Sequence, residues 1–499
     1  MEPVPSDRFE PAEPAIRRAA AGARIRQTLA QTKIVATIGP ASEGFLTELA
    51  ELGMSVARLN FSHGKPEEHR RRADLVRKTA RAVGRPIAIL ADIQGPKLRM
   101  GLFSDNPREL ALDDVLTVRQ GNETAGPGEV YFNFDGFLQA AEPGHRLMLA
   151  DGAAAGVVEE VHRDRLVMRI TRGGTIGDRK GVNLPDSDIR LQLPTDKDIR
   201  DIELARQIGV EMLGVSFVSS AAELEVIREL APEPMIVSKI ERKLALERLQ
   251  EILRASDGIM IARGDLGVEI DLEQLPMLQK SLIQSALAEG RFVITATEML
   301  ESMVGTSRPT RAEVADVANA VLDGTDALML SAETAVGKYP REAVAVMNRI
   351  ALAVEESPRY KELPRVAFRA VEPTFSNAIA KAAVEAAEAL GIGKIIAFSE
   401  TGNTVRLLSR YRPEAEIYAL TPNERTLNTM AILAHVRPML YARQRSLEEM
   451  MQEASLYLLD HGLVRGGEQV LFVAGVPPGV ARTTNLMKLH RIGEQIKFH

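Results

Sequence analysis

The chain has 499 residues, of which 45% are hydrophobic, and it carries a formal net charge of -6 at pH 7. This length predicts about two to four domains with large hydrophobic cores, and the acidic balance excludes a general attraction for nucleic acid or acidic membranes. The absence of cysteine excludes disulfides and thiolate chemistry and fits a reducing cytoplasm. The sequence shows no apolar run of membrane-spanning length.

The first part of the chain predicts an extension followed by a parallel α/β fold. Residues 1–30 are rich in Pro, Ala, Arg and Glu and are expected to be flexible or partly helical. From residue 32 to about 356, short apolar runs alternate with amphipathic stretches, which is typical of β/α units. Eight candidate strands are found: Lys33–Ile38, Ser55–Asn60, Ile87–Asp92, Met212–Phe217, Met235–Ile240, Gly258–Ile261, Phe292–Ala296 and Ala327–Ser331. They predict a (β/α)₈ TIM barrel built from residues 31–94 and 189–357.

The barrel is interrupted after its third strand. Residues 95–188 are rich in Gly, Asp and alternating Val and Leu, and they are predicted to form an inserted all-β lid, because a structureless loop of that length is implausible. Beyond the barrel, the runs IIAFSE, EIYALTP and QVLFVAG alternate with helix-like stretches. They predict a C-terminal α/β regulatory domain over residues 358–499.

Two consecutive strand ends carry charged residues suited to a metal-assisted reaction on an anion. In the run IVSKIE, Lys239 and Glu241 are two residues apart and therefore point to the same face of a strand. The next strand ends in Arg263, Gly264 and Asp265, where glycine lets the backbone N–H groups approach a ligand. Glu241 and Asp265 are candidate oxygen ligands for Mg²⁺, and Lys239 is a candidate to stabilise charge on the substrate.

The other strand ends supply the rest of a site, because enzymes on this fold place their chemistry at the carboxyl ends of the strands. Basic, acidic and hydroxyl side chains are expected to converge there: Arg58, Asp92, Arg99, Lys239, Glu241, Asp265, Thr297, Ser331 and Glu333. This set suits a small phosphorylated substrate with a divalent ion. It favours phosphoryl transfer, in which positioning and electrostatic stabilisation do most of the catalysis.

Eight motifs in order along the chain resemble those of the pyruvate kinase family. They are TKIVATIGPAS, ARLNFSHG, GPKLRMG, KGVNLP, SKIE, ARGDLG, TATEMLESM and SAETAVGKYP, between residues 32 and 340. The resemblance implies a barrel with a mobile lid and a regulatory domain, in a cytoplasmic homotetramer of glycolysis. It also implies transfer of the phosphoryl group of phosphoenolpyruvate to ADP, giving ATP and pyruvate.

The resemblance assigns a role to each candidate residue. Glu241 and Asp265 would bind Mg²⁺ or Mn²⁺, and Lys239 would stabilise the phosphoryl group in transfer. The amides of Gly264 and Asp265, with Thr297, would hold the substrate carboxylate. Further roles fall to three groups: phosphate binding to Arg58 and Arg99, nucleotide binding to His63, Arg99 and Lys180, and protonation of the enolate to Thr297 or to a water chain through Ser331 and Glu333.

Lys97 is expected to determine whether the protein needs a monovalent cation. The family's pocket for K⁺ corresponds to Asn60, Ser62, Asp92 and Ile93. Potassium-dependent members carry a glutamate at the position of Lys97, whose ammonium would repel a second cation and could pair with Asp92 instead. We therefore expect that K⁺ is not required.

The C-terminal domain carries a candidate effector loop. The run FSETGNT contains Ser399, Thr401, Gly402, Asn403 and Thr404, and it resembles the family's hydroxyl-rich loop for an effector phosphate. Asn403 stands where many bacterial relatives have a basic residue, and the late loop PPGVARTTN is short. The expected effector is a sugar monophosphate or a nucleotide monophosphate such as AMP.

Two other classes of protein stay open at this point. A barrel lyase acting on phosphoenolpyruvate or pyruvate would also use a divalent metal, an acidic pair and an arginine, but it would need neither a lid nor Lys239. A catalytically inactive sensor would act through the C-terminal domain, and the intact set of charged residues argues against it. Formation of ATP from ADP and phosphoenolpyruvate separates these possibilities.

Overall fold

The computed structural model describes residues 29–189, 191–362, 373–477 and 483–496. The predicted N-terminal extension therefore lies outside the described residues except for its last two positions, and so does most of the late loop PPGVARTTN. Among the helices that are described, none is long and apolar enough to cross a membrane.

The first part of the barrel contains three parallel strands. Its elements are β1 (Lys33–Thr37), α1 (Leu46–Leu52), β2 (Met54–Asn60), α2 (Pro66–Val83) and β3 (Ala88–Ile93). All residues of β3 are buried, as expected for a strand covered on both faces. Helix α2 begins at a proline and ends at Gly84 in a left-handed conformation, which is the usual asymmetry of helix ends.

The lid follows β3 as a separate β domain with one short helix. Its elements are β4 (Leu102–Phe103), β5 (Arg108–Leu110), β6 (Val115–Gln120), β7 (Thr124–Ala125), β8 (Glu129–Phe132), α3 (Phe137–Ala140), β9 (Arg146–Leu149), β10 (Ala154–Val161), β11 (Arg165–Arg172), β12 (Gly174–Ile176) and β13 (Val182–Asn183). Six strands form one sheet in the order β13-β9-β10-β11-β6-β8. Phe132, Phe137 and Leu147 belong to its own hydrophobic core.

The second part of the barrel resumes after the lid. Its elements are α4 (Asp196–Ile208), β14 (Met212–Val215), α5 (Ala221–Leu230), β15 (Met235–Ile240), α6 (Lys243–Glu247), α7 (Leu249–Ala255), β16 (Gly258–Ala262), α8 (Arg263–Glu269), α9 (Leu275–Ala288), β17 (Phe292–Ala296), α10 (Arg311–Asp323), β18 (Ala327–Leu330), α11 (Ala332–Ala335) and α12 (Pro340–Glu355). The eight strands close in the order β1-β18-β17-β16-β15-β14-β3-β2, so the predicted barrel is confirmed.

The C-terminal domain is a five-stranded α/β sheet. Its elements, after the short helix α13 (Pro358–Lys361), are α14 (Phe375–Ala389), β19 (Lys394–Phe398), α15 (Asn403–Ser409), β20 (Glu416–Thr421), α16 (Glu424–Thr429), β21 (Val436–Leu440), α17 (Leu447–Asp460), β22 (Gln469–Gly475) and β23 (Thr484–Arg491). The strand order is β21-β20-β19-β22-β23, with only β23 antiparallel. This domain contacts the amino-terminal end of the barrel strands, where Arg412 forms a buried ion pair of 2.8 Å with Asp326.

Four short 3₁₀ turns complete the described secondary structure. They are Glu43–Phe45, Leu272–Gln274, Glu301–Val304 and Met430–Ile432. The turn at Glu301–Val304 follows β17. The carboxyl ends of the barrel strands thus face the lid, while their amino ends face the C-terminal domain.

Candidate active site

Lys239 is the centre of a buried group of charges at the end of β15. Its Nζ lies 2.8 Å from Glu241 Oε1 and 3.3 Å from Asp92 Oδ1, and it donates a 2.8 Å hydrogen bond to the hydroxyl of Ser216. Burial alone would lower the pKa of Lys239, but the two carboxylates raise it above its ordinary value. The ammonium is therefore charged at neutral pH and held in a fixed position.

Arg58 and Asp92 form a second buried pair beside this lysine. Arg58 Nε lies 2.7 Å from Asp92 Oδ2, and Arg58 Nη1 donates to Thr37 Oγ1 at 2.9 Å. Burial would raise the pKa of Asp92, but Lys239 and Arg58 lower it, so the carboxyl stays ionised. Two cations, from strands β2 and β15, are thus fixed by one carboxylate of β3.

Glu241 and Asp265 form a pair of carboxylates suited to a divalent cation. Glu241 is buried, and its Oε2 accepts the N–H of Phe217 at 2.8 Å. Burial raises the pKa of Glu241, and the nearby charge of Asp265 raises it further, which a bound cation would reverse. Among the described residues no cluster of three or more ligating side chains exists. The pair fits Mg²⁺, because this ion commonly takes one or two carboxylates and completes its shell with substrate oxygens and water.

Thr297 lies opposite the first turn of α8. Its hydroxyl accepts the N–H of Gly264 at 2.7 Å and donates to Ala296 O at 2.7 Å. Both Thr297 and Glu298 have positive φ angles of 66° and 55°, a conformation that side chains rarely adopt. Strain of this kind persists where surrounding contacts determine it.

Arg263 supplies those contacts from the start of α8. Its guanidinium donates to Thr297 O at 2.8 Å and to Glu298 O at 3.3 Å, and it pairs with Asp316 of α10 at 2.6 Å. The side chain is nearly buried. Arg263 therefore ties the amides of α8 to the turn that carries the Thr297 hydroxyl, a role that the sequence did not predict.

Ser331 and Glu333 lie at the end of β18. Glu333 is fully buried, and its two carboxylate oxygens accept the N–H groups of Ser331 at 2.6 Å and Leu300 at 3.1 Å. The carboxylate thus holds the end of β18 against the loop that follows β17.

The predicted monovalent-cation pocket is internally hydrogen bonded. Asn60 Oδ1 accepts the N–H of Ser62 at 3.1 Å, and the carbonyl of Ile93 accepts the hydroxyl of Ser216 at 2.7 Å. The carboxylate of Asp92 already forms ion pairs with Arg58 and Lys239.

Lys97 lies elsewhere than expected. Its Nζ pairs with Asp151 Oδ1 of the lid at 2.9 Å and lies 3.9 Å from Asp265 Oδ1. The predicted pairing of Lys97 with Asp92 is wrong, because Asp92 is occupied by two other cations. Burial would raise the pKa of Asp151, but Lys97 lowers it below its ordinary value.

The predicted nucleotide-binding residues lie around the mouth rather than in the buried group. His63 is exposed on the loop after β2, and its carbonyl contacts His69 Nε2 at 3.0 Å. Arg99 is half-buried at the base of the lid and donates to Arg179 O at 2.9 Å. Lys180 is exposed on the lid's return segment.

The predicted effector loop lies at the start of α15 and lines a pocket of the C-terminal domain. Gly402 has a φ of +81°, and a Cβ there would lie 3.3 Å from Met430 Cγ. The hydroxyls of Thr404 and Thr484 are 2.6 Å apart, while Thr401 is exposed. Glu400 and Arg443 also line the pocket and form an ion pair of 2.8 Å. Ser399 and Asn403 line the same pocket.

Comparison with known proteins identifies the family. A family model described as pyruvate kinase, barrel domain, matches residues 29–344, and a model described as pyruvate kinase, alpha/beta domain, matches residues 377–490. The chain belongs to the pyruvate kinase family. Pyruvate kinases transfer the phosphoryl group of phosphoenolpyruvate to ADP, and this enzyme has that activity, with phosphoenolpyruvate, ADP and ATP as its ligands.

Individual pyruvate kinases agree along most of the chain. The pyruvate kinase of Bacillus licheniformis is 40% identical over 93% of this chain and 81% of its own length. That of Staphylococcus epidermidis is 39% identical over the same shares. The crystal structure of a pyruvate kinase from Cryptosporidium parvum superposes with a TM-score of 0.87 at 34% identity, covering 94% of this chain and 99% of that chain.

Three residues of the site in this pyruvate kinase were not predicted from the sequence. Ser216 bonds Lys239, Arg263 holds the turn at Thr297, and Asp151 binds Lys97. The position of Arg263 in the ARGDLG motif, next to Gly264 and Asp265, is the feature of the sequence that could have indicated its role. The pairing of Asp151 with Lys97 could not be predicted from the sequence, because the position of Asp151 depends on how the lid docks on the barrel.

Proposed function

We propose that phosphoryl transfer takes place at the carboxyl ends of the barrel strands, with Lys239 as the group that stabilises charge on the phosphoryl group in transfer. The observation that carries this is the buried Lys239 ammonium, held between Asp92 and Glu241 at 3.3 and 2.8 Å. A cation fixed in advance costs no reorganisation during the reaction, so it acts mainly on the transition state.

Glu241 and Asp265 would hold Mg²⁺, or Mn²⁺ in its place. The ion would neutralise negative charge on the phosphate and carboxylate oxygens of the substrate. Glu241 is suited to this because its Oε2 is oriented by the N–H of Phe217 at 2.8 Å. Asp265 is partly exposed and can approach a ligand in the cleft.

The other residues would bind and orient the substrates. Arg58, fixed by Asp92 at 2.7 Å, would take the phosphate together with Arg99. The amides of Gly264 and Asp265 would hold the carboxylate of phosphoenolpyruvate. His63, Arg99 and Lys180 would meet the nucleotide, the last when the lid closes over it.

Thr297 is the better supported donor of the proton to the enolate carbon. Its hydroxyl oxygen lies 2.7 Å from the N of Gly264, an amide assigned to the substrate carboxylate, and its proton would turn from Ala296 O to the enolate carbon. Glu333 has both oxygens occupied by backbone N–H groups. We assign Glu333 and Ser331 to the alternative route, a water chain at the end of β18.

The enzyme is proposed to work without K⁺. The Lys97 ammonium lies 3.9 Å from Asp265, so it adds a permanent positive charge at the edge of the site. Three of the predicted K⁺ ligands, Asn60, Asp92 and Ile93, already accept hydrogen bonds from the chain. Both features reduce the need for a monovalent cation.

The C-terminal loop is proposed to bind a sugar monophosphate or AMP as an effector. Its support is a pocket bounded by hydroxyl groups and by Arg443. We further infer a cytoplasmic homotetramer with no nucleic-acid or membrane partner, and domain boundaries near residues 31, 95, 189 and 358. These inferences rest on the family and on the acidic composition.

A kinetic comparison tests the catalytic proposal. In an assay of ATP formation from ADP and phosphoenolpyruvate, Lys239→Met should lower kcat by about 100-fold or more, because it removes a preorganised cation. Asp265→Ala should cut turnover and raise the Mg²⁺ concentration needed. Lys78→Met, the same change on the exposed face of α2, is the matched control. Near wild-type turnover of Lys239→Met, with unchanged circular dichroism, would refute the proposal.

A further inference from the structure

Lys97 lies between two carboxylates that belong to different domains. Its Nζ is 2.9 Å from Asp151 Oδ1, in the lid turn after β9, and 3.9 Å from Asp265 Oδ1, on α8 of the barrel. Lys97 itself is in the segment that leads from β3 into the lid. The two carboxylates therefore compete for one ammonium, and the nearer of them is the one that the lid supplies.

The lid turn that presents Asp151 has an unusual backbone. Ala150 and Asp151 have φ angles of 52° and 54°, and Gly152 has a φ of 88°. Two successive non-glycine residues in this region are costly and persist only where surrounding contacts determine them. A Cβ at Gly152 would lie 3.2 Å from Val268 Cγ2, so the turn packs directly against α8, the helix that carries Asp265.

Gly181, in the return segment of the lid, packs against the ion pair of Lys97 and Asp151. A Cβ at Gly181 would collide with Asp151 Oδ1 and would lie 3.1 Å from Lys97 Cε. Asp151 N–H also donates to Gly181 O at 3.3 Å. Both segments that connect the lid to the barrel thus meet the turn at the ion pair, which lies where the turn packs on α8.

We infer that Asp151 is a positioning residue for Lys97: its carboxylate takes the closer contact with the ammonium, at 2.9 Å against 3.9 Å, and leaves Asp265 able to bind a divalent cation. The inference rests on the metal site proposed above. Without the Asp151 carboxylate, Asp265 is the remaining acidic partner among the described residues within 4 Å of the Lys97 ammonium, at 3.9 Å. Metal affinity thereby depends on a residue that touches neither metal nor substrate.

A Mn²⁺ titration of the full-length enzyme tests the inference. Bound Mn²⁺ is measured by water-proton relaxation, with no turnover involved. Asp151→Asn keeps the size of the side chain, and asparagine tolerates positive φ, so the fold is preserved. The variant should bind Mn²⁺ about fivefold more weakly, the scale of a partly exposed ion pair. Asp164→Asn, the same change at an exposed position of the lid, should bind as the wild type does.

A second background shows whether the effect passes through the lysine. Lys97→Gln and the double variant Lys97→Gln/Asp151→Asn should bind Mn²⁺ equally, because neither protein has an ammonium at position 97 that could pair with Asp265. A loss of affinity on Asp151→Asn that persists in the Lys97→Gln background overturns the inference, since Asp151 would then act through its own charge. No loss in either background also overturns it.

The variant Asp265→Ala separates this inference from the proposal on which it rests. If Asp265→Ala abolishes Mn²⁺ binding, the metal site stands, and the Asp151 variants alone decide the inference. If Asp265→Ala binds Mn²⁺ as the wild type does, the proposed metal site and the inference both fail.

Discussion

At the scale of single residues, the site is organised by carboxylates that are buried with their cations. Asp92 fixes Arg58 and Lys239, and Glu241 fixes Lys239 from the opposite side. Removing one member of such a group leaves an uncompensated buried charge, which typically costs about 3–5 kcal/mol. The positions of the cations are thus built into the folded barrel before substrate arrives.

We propose that the sign of the charge at Lys97 sets the response of the enzyme to potassium. We expect nearly full activity of the wild type without K⁺, and a requirement for K⁺ in Lys97→Glu. The Lys97 ammonium lies 3.9 Å from Asp265, and like charges repel, so it disfavours a further cation at this edge of the site. Assays in tetramethylammonium salts of matched ionic strength measure this. Several-fold activation of the wild type by KCl would contradict the expectation.

The residues of the site differ in how well the sequence predicts them. Lys239, Glu241 and Asp265 follow from strand ends of one barrel, where alternation and β/α order bring them together. The partner of Lys97 could not be predicted, because it depends on a lid turn with three positive φ angles docked against α8. Contacts made between domains leave no local pattern in the chain.

At the scale of elements, the sequence predicts the bounds of the barrel strands closely. For the lid it predicts only an all-β domain, without its strands or their pairing. Each barrel strand is a short, nearly continuous apolar run, because both of its faces are buried. In the lid, β6 pairs with β11 antiparallel and with β8 parallel. Such long-range pairings depend on tertiary packing and cannot be obtained from alternation within a strand.

The loop at the start of α15 is predicted to bind an allosteric effector. We expect a sugar monophosphate or AMP to shift the saturation curve for phosphoenolpyruvate, and Thr401→Ala to reduce that shift several-fold. The exposed Thr401 hydroxyl and backbone N–H groups near the helix start are suited to phosphate. Titration of each compound while the curve is followed provides the measurement. An unchanged curve with every compound would rule the site out.

At the scale of the whole molecule, the C-terminal domain is joined to the barrel by buried and partly buried polar contacts. Arg412 pairs with Asp326 at 2.8 Å just before β18, and Lys33 at the start of β1 donates to Val436 O at 2.9 Å. Asn428 of α16 donates to Glu211 at 3.3 Å just before β14. These contacts at three barrel strands favour movement of the barrel and the C-terminal domain as one unit.

Lys33 makes this interface sensitive to alkaline pH. Burial lowers the pKa of Lys33 to about 8 from 10.5, so the unfolded chain holds this proton between pH 8 and 10.5 while the folded protein releases it. Stability from this group therefore rises with pH across that window, by about 1–3 kcal/mol, and is constant below it. Lys33→Met should lack this contribution. Equal changes of Tm with pH in both proteins, from pH 8 to 10, would show that Lys33 contributes nothing.

Phosphoryl transfer at the proposed site requires that one metal ion and one phosphate meet at Glu241, Asp265 and Lys239. A crystal grown with Mn²⁺ and phosphoenolpyruvate, without ADP, measures this directly through anomalous scattering. We predict an anomalous peak between the carboxylates of Glu241 and Asp265, with the phosphate of the substrate in contact with the Lys239 ammonium. Bound phosphoenolpyruvate with a Mn²⁺ peak elsewhere, or with its phosphate away from Lys239, would contradict the account.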